Sequence, residues 1–110
     1  MEILETQLCT AIITPKGRLD AFTAPELRGV LDRRVAEGTT RFVLDLSEVA
    51  FLDSAGMAVL VTLLKRARSA GGNVTLVWPR EEAAKRILRL TKFDRVFDMA
   101  DSADAALKGL

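Results

Sequence analysis

The residues of this chain best suited to chemistry lie in one stretch, Phe51-Leu52-Asp53-Ser54-Ala55-Gly56-Met57. It sets a single hydroxyl, Ser54, directly after an acid and before two small residues, at the point where a helical periodicity begins. A serine at a helix start lies among backbone N–H groups that have no partner within the helix and that favour an anion. Ala55 and Gly56 leave the hydroxyl uncovered, so a second protein can approach it closely. The same residue types also suit a plain helix cap, with Asp53 or Ser54 capping and Gly56 relieving crowding against a sheet. Gly in a first helical turn costs up to about 1 kcal/mol relative to Ala, so close approach or tight packing must offset it.

What Ser54 lacks narrows its chemistry. The chain has no histidine, which removes Ser-His-Asp and Cys-His arrangements and His-based zinc sites together. No Gly-x-Ser-x-Gly elbow surrounds Ser54, so a hydrolase with this serine as nucleophile is disfavoured. A phosphoaspartate receiver needs an acidic pair after its first parallel strand, and Ala11-Ile12-Ile13-Thr14-Pro15 supplies none. The single cysteine, Cys9, cannot form an internal disulfide or a Cys-rich zinc site and reads as a small buried strand residue. No catalytic residue, metal or cofactor is implied, and the chain is expected not to be an enzyme. With 16 basic and 15 acidic residues, a net charge of +1 gives no general pull toward nucleic acid. Lys65-Arg66-Ala67-Arg68 is accordingly read as a solvated helix end.

The elements that must position Ser54 follow from periodicity. The 110 residues suit one domain spanning 1–110, and 49% of them are hydrophobic. No apolar run is long enough to cross a bilayer, and the N-terminus lacks a signal-peptide pattern, so a cytoplasmic location is expected. Ile3 to Gln7 and Leu8 to Thr14 read as short strands, the second ended by Pro15 and Gly17. Gly17-Arg18-Leu19-Asp20 is then a turn. Thr23, Pro25 and Glu26 mark a capped helix start, with Ala24, Leu27, Leu31 and Val35 as its apolar stripe and Gly38 as its stop.

Arg41 to Leu46 is a short, nearly all-apolar central strand, and Val49 to Leu52 continues apolar toward Asp53. A helix runs from about Ser54 to Ala70, carrying Met57, Leu60, Val61 and Leu64, with Val59 and Leu63 widening the stripe. Met57 and Val59, a turn along from Ser54, fit either exposed contacts or core, with core the ordinary assignment for Met57. Asn73 to Trp78 is the next strand, where Trp78 packs at the end. Glu81 and Glu82 open a third helix with Ala84, Ile87 and Leu88 inward. Arg95-Val96-Phe97 reads as a short edge strand. Asp101 or Ser102 caps a last helix with Ala103, Ala106, Leu107 and Leu110 on one face. Asp45, inside an apolar strand, is either turned to the polar end or hydrogen-bonded. The fold class is α/β, a small domain with a mixed, mostly parallel sheet of four to five strands and about four helices.

In ordered motifs over nearly its whole length, the chain resembles the STAS domain family, and within it the anti-sigma factor antagonists of bacterial partner-switching systems. Gly17-Arg18-Leu19-Asp20 resembles the family's Gly-x-Leu/Ile-Asp turn, and Thr23-Ala24 the start of its first helix. Phe42 to Leu46 resembles its central strand, and Asp53-Ser54-Ala55-Gly56 its Asp-Ser-x-Gly phosphorylation segment. Gly71-Gly72 and Thr91-Lys92-Phe93 also fit.

The resemblance implies that Ser54 is the serine phosphorylated by an anti-sigma factor that is itself a serine kinase, and that Asp20 lies near it. It implies a partner-binding surface of Asp20, Thr23, Asp53, Ser54, Ala55, Gly56 and Met57. Ala55 departs from the Ser or Thr frequent in relatives, which leaves a less ambiguous phosphate acceptor. The implied partners are that kinase and a serine phosphatase, with no nucleic acid or membrane contact and a monomeric chain. In the implied function the unphosphorylated form binds the anti-sigma factor and releases the sigma factor, and phosphate on Ser54 abolishes binding. The alternative is a STAS accessory subunit of a lipid or ion transporter of the ABC type.

Overall fold

The computed structural model describes residues 1–7 and 10–109, so Cys9 and Leu110 lie outside the described residues. Strands β1 (Glu2–Gln7) and β2 (Ala11–Leu19) pair antiparallel. Next come α1 (Ala24–Ala36), β3 (Arg41–Asp45), β4 (Val49–Leu52) and α2 (Ser54–Ser69). The chain continues through β5 (Asn73–Val77), α3 (Glu82–Leu90), α4 (Phe93–Val96), β6 (Asp98–Ala100) and α5 (Ala103–Lys108). The sheet runs β1-β2-β3-β5-β6, with β4 paired to the C-terminal end of β2. Every pairing except β1 with β2 is parallel. The class is therefore the expected mixed, mostly parallel α/β sheet, with six strands and five helices among the described residues.

Strand alternation divides the core. Phe42 and Leu44 of β3, with Ala11, Ile13, Val74 and Leu76, join the main cluster with α1 and α2. Val43, between them, joins Val77 and Ala106 of α5 in a smaller cluster. The α1 stripe is Ala24, Leu27, Val30 and Leu31, with Val35 half-buried. In α2, Met57, Val59, Leu60, Leu63, Leu64 and Ala67 are buried. Burying each such Leu or Val side chain stabilises by about 1.5–3 kcal/mol, so α2 is held hard on the sheet and its first turn has a fixed place. Among the described residues no helix is long and apolar enough to cross a membrane.

Two expectations are corrected. β2 does not stop at Pro15 and Gly17 but runs on to Leu19. One edge of β2 changes partner, pairing with β3 at Ala11–Ile13 and with β4 at Gly17–Leu19. Pro15, which lacks an N–H, falls in the gap between these pairings. Gly17, at φ +91°, takes up the register shift before Arg18. The segment 17–20 is thus strand end and only then a turn.

The edge strand is Asp98–Ala100, not Arg95–Phe97. Residues 93–96 form the helical turn α4, entered through Lys92 at φ 63°. The Phe93 and Phe97 rings, four residues apart, stack at 5.3 Å, a helical spacing. The last helix is capped by Ser102, whose hydroxyl accepts from the Ala105 N–H at 3.0 Å.

Candidate functional site

Two chain segments meet where β2 ends and α2 begins. Asp53 is the N-cap of α2, in extended conformation at φ −123° and ψ −176°. Its Oδ1 accepts from the N–H groups of Ala55 at 2.9 Å and Gly56 at 3.1 Å. Its other oxygen, Oδ2, accepts from the Ala21 N–H at 3.2 Å. Its own N–H donates to the Leu19 carbonyl at 3.2 Å. One acid thus caps the helix and ties it to the β2–α1 turn.

Asp20 organises that turn. Its Oδ1 accepts from the N–H groups of Phe22 at 3.0 Å and Thr23 at 3.2 Å, and its backbone carbonyl accepts from Ala24 at 2.7 Å. Thr23 does not cap α1 as expected. Its hydroxyl donates to the Arg18 carbonyl at 2.7 Å and accepts from the Asp20 N–H at 2.9 Å, so Asp20 satisfies the free N–H groups ahead of the helix instead. Arg18 Nε donates to Asp20 Oδ2 at 3.1 Å, and its guanidinium lies 4.2 Å from the centre of the Phe51 ring. The Arg18 guanidinium, foremost, and the N–H groups of Thr23 and Phe22 hold the Asp20 carboxyl below the usual carboxylate range, against a smaller opposing effect of desolvation.

Ser54 is exposed as the first residue of α2. Among the described residues nothing bonds its hydroxyl, because Asp53 takes the N–H groups that a capping serine would have taken. The other residues read from the sequence divide by depth. Asp20, Thr23, Asp53 and Ala55 are half-buried, whereas Gly56 and Met57 are buried. A β-carbon on Gly56 would drive into the carbonyl oxygen of Leu19, so the glycine serves the contact of α2 with β2 rather than leaving room for a visitor. Met57 is 9% exposed and packs in the core.

Phe22, which sequence reasoning passed over, is 94% exposed on the Asp20 turn. Its only sequence signal is an aromatic between turn-forming residues.

Elsewhere, Asp45 proves to be hydrogen-bonded, its Oδ1 accepting from the Ser47 N–H at 3.0 Å. Arg66 pairs with Asp32 of α1, and Arg68 donates to the Val96 carbonyl at 3.0 Å, so the basic end of α2 ties elements together. Trp78 packs against the main core with Arg89 over its ring at 5.5 Å. No three His, Cys, Asp or Glu side chains converge among the described residues as metal ligands would.

Residues 1–106 match the profile of the STAS domain. The chain belongs to the STAS domain family. Over 101 residues this STAS domain is 30% identical to the anti-sigma-F factor antagonist RsfB of Mycobacterium tuberculosis, covering 91% of this chain and 80% of RsfB. The Thermotoga maritima protein TM1081 has a crystal structure similar to it at TM-score 0.90 and 29% identity, over 97% of this chain and 92% of that one. SpoIIAA in its unphosphorylated form shares the fold at TM-score 0.77 and 16% identity, over 98% and 96% of the two chains. RsfB, like a Bacillus subtilis relative named anti-sigma-B factor antagonist, is thus named for antagonising an anti-sigma factor.

Proposed function

We propose that this STAS domain is an anti-sigma factor antagonist whose docking on an anti-sigma factor is switched by phosphorylation of Ser54. The observation that carries the reading is the Ser54 hydroxyl, exposed and unbonded at the start of a helix whose Ala55 and Gly56 N–H groups are already taken by Asp53. Support also comes from the family and from relatives named for this activity.

In the unmodified state Ser54 is small and neutral, and a partner packs over it. In the transfer, the Ser54 oxygen bonds to the γ-phosphorus of ATP, the bond from that phosphorus to ADP breaks, and the hydroxyl proton passes to a base on the kinase. The phosphate adds about −1.5 to −2 charges at neutral pH. It lands beside Asp53, which already occupies the Ala55 and Gly56 N–H groups and whose other oxygen holds the Ala21 N–H, next in the chain to Asp20. The helix therefore has little spare capacity to absorb the new anion, while the core beneath α2 is undisturbed. The fold persists and the interface changes. A like charge on the partner at about 4 Å costs on the order of 4 kcal/mol at intermediate dielectric, and half of that weakens binding more than about tenfold.

The kinase is the anti-sigma factor itself, and a serine phosphatase resets the switch. A partner that governs a sigma factor places the domain in the cytoplasm, where it acts as a single chain. Isoelectric focusing of the protein recovered from its source cells tests the reading. A more acidic species should be present, should vanish with phosphatase and should be missing from Ser54→Ala. An acidic species that survives in Ser54→Ala would count against it.

A further inference from the structure

We propose that the Phe22 ring is the anchor by which this domain seats itself in the protein that phosphorylates Ser54. The inference rests on the Ser54 switch proposed above and deepens it. Phe22 is 94% exposed, although its neighbours Leu19, Ala24 and Leu27 are buried. Nearly the whole ring faces solvent, so it does nothing for the core. A lone exposed apolar residue on a loose tip would be unremarkable. This one stands on a clamped turn. The Phe22 and Thr23 N–H groups both donate to Asp20 Oδ1, and the preceding Ala21 N–H donates to Asp53 Oδ2. The ring is thus presented from a fixed backbone, and little ordering cost remains to be met on binding. Aromatic side chains offer a large contact area for few torsions and dominate the centres of interfaces.

The same clamp identifies the occupant. Ala21 is bonded to Asp53, and Phe22 and Ser54 are the next residues along the two segments. Successive α-carbons are about 3.8 Å apart, so the backbones of Phe22 and Ser54 each lie one residue from this tie, within the footprint of a protein docked over Ser54. The kinase is the macromolecule that the switch brings to this spot. It should carry an apolar pocket sized for a phenyl ring beside its phosphoryl-donor site.

The probe is the kinase activity purified from the source cells by its transfer of phosphate from ATP to the wild-type full chain and not to Ser54→Ala. Phe22→Ala is expected to raise the KM for the full chain roughly tenfold or more with kcat little changed, as loss of an interface anchor does. Its thermal midpoint should match that of the wild type, because the ring packs on nothing. An unchanged KM, or a loss in kcat alone, overturns the anchor and leaves the Ser54 switch standing. A raised KM accompanied by a fallen midpoint assigns the ring a structural role and also overturns it. If no fraction phosphorylates Ser54, the switch and the anchor fall together.

Discussion

Asp53 Oδ2 accepts the Ala21 N–H at 3.2 Å, joining residues 32 apart in the chain. With Oδ1 on the Ala55 and Gly56 N–H groups, this acid fixes the start of α2 and the β2–α1 turn relative to each other. Asp53→Ala removes both functions and should cost about 2 kcal/mol, the upper range for loss of a cap. Asp53→Asn keeps an amide oxygen for the cap but offers only an NH2 to Ala21. In that variant amide exchange at Ala21 should accelerate while Ala55 and Gly56 stay protected. Urea unfolding and hydrogen exchange measure the two effects, and unchanged exchange at Ala21 would contradict the tie.

Gly56 and Gly29 should respond oppositely to the same substitution. A β-carbon at Gly56 meets the Leu19 carbonyl oxygen, a backbone atom that cannot swing aside, whereas one at Gly29, on α1, meets nothing within 4 Å. Gly29→Ala should therefore stabilise by about 1 kcal/mol through helix propensity. Gly56→Ala should destabilise by about 1–3 kcal/mol, because overpacking outweighs the same propensity gain. Thermal midpoints that move in one direction for both variants would refute the packing assigned to α2.

Asp20 carries a pH signature. Arg18, then the Thr23 and Phe22 N–H groups, lower its folded pKa. A lowered folded value means stability that is fully present above the unfolded pKa of about 3.9 and is lost as pH falls through the folded value. Carboxyl NMR should place the Asp20 midpoint below the ordinary range, and Arg18→Ala should raise it. At neutral pH Asp20 stays ionised, so its titration should not alter docking between about pH 5 and 8. A midpoint unmoved by Arg18→Ala would remove the guanidinium as the cause.

Local signals made much of this legible. The α1 and α2 stripes, the apolar run of β3 and the acid–serine pair at a helix start are patterns of spacing and type, and the structure places them as read, except that Val61 is only half-buried and off the core face of α2, which Val59, Leu63 and Ala67 complete. What was not legible depends on distant chain. β2 runs through Pro15 and Gly17 because β4 waits to pair with Gly17–Leu19. Arg95-Val96-Phe97 looked strand-like in composition, but Phe97 stacks on Phe93 at a helical spacing. Thr23 resembled a cap, yet the Arg18 carbonyl claims its hydroxyl proton. At the site, the residue types marked Asp53 and Ser54. They could not show that Asp53 reaches Ala21, that Gly56 faces Leu19, or that Phe22 stands in solvent, because each follows from tertiary placement alone.

The most direct test compares two forms of one protein. The domain is prepared unmodified and with phosphoserine installed at position 54, and each is titrated calorimetrically into the purified anti-sigma factor. The unmodified form should bind at least about tenfold more tightly, with both forms unfolding cooperatively. Equal affinity for the two forms would contradict the switch.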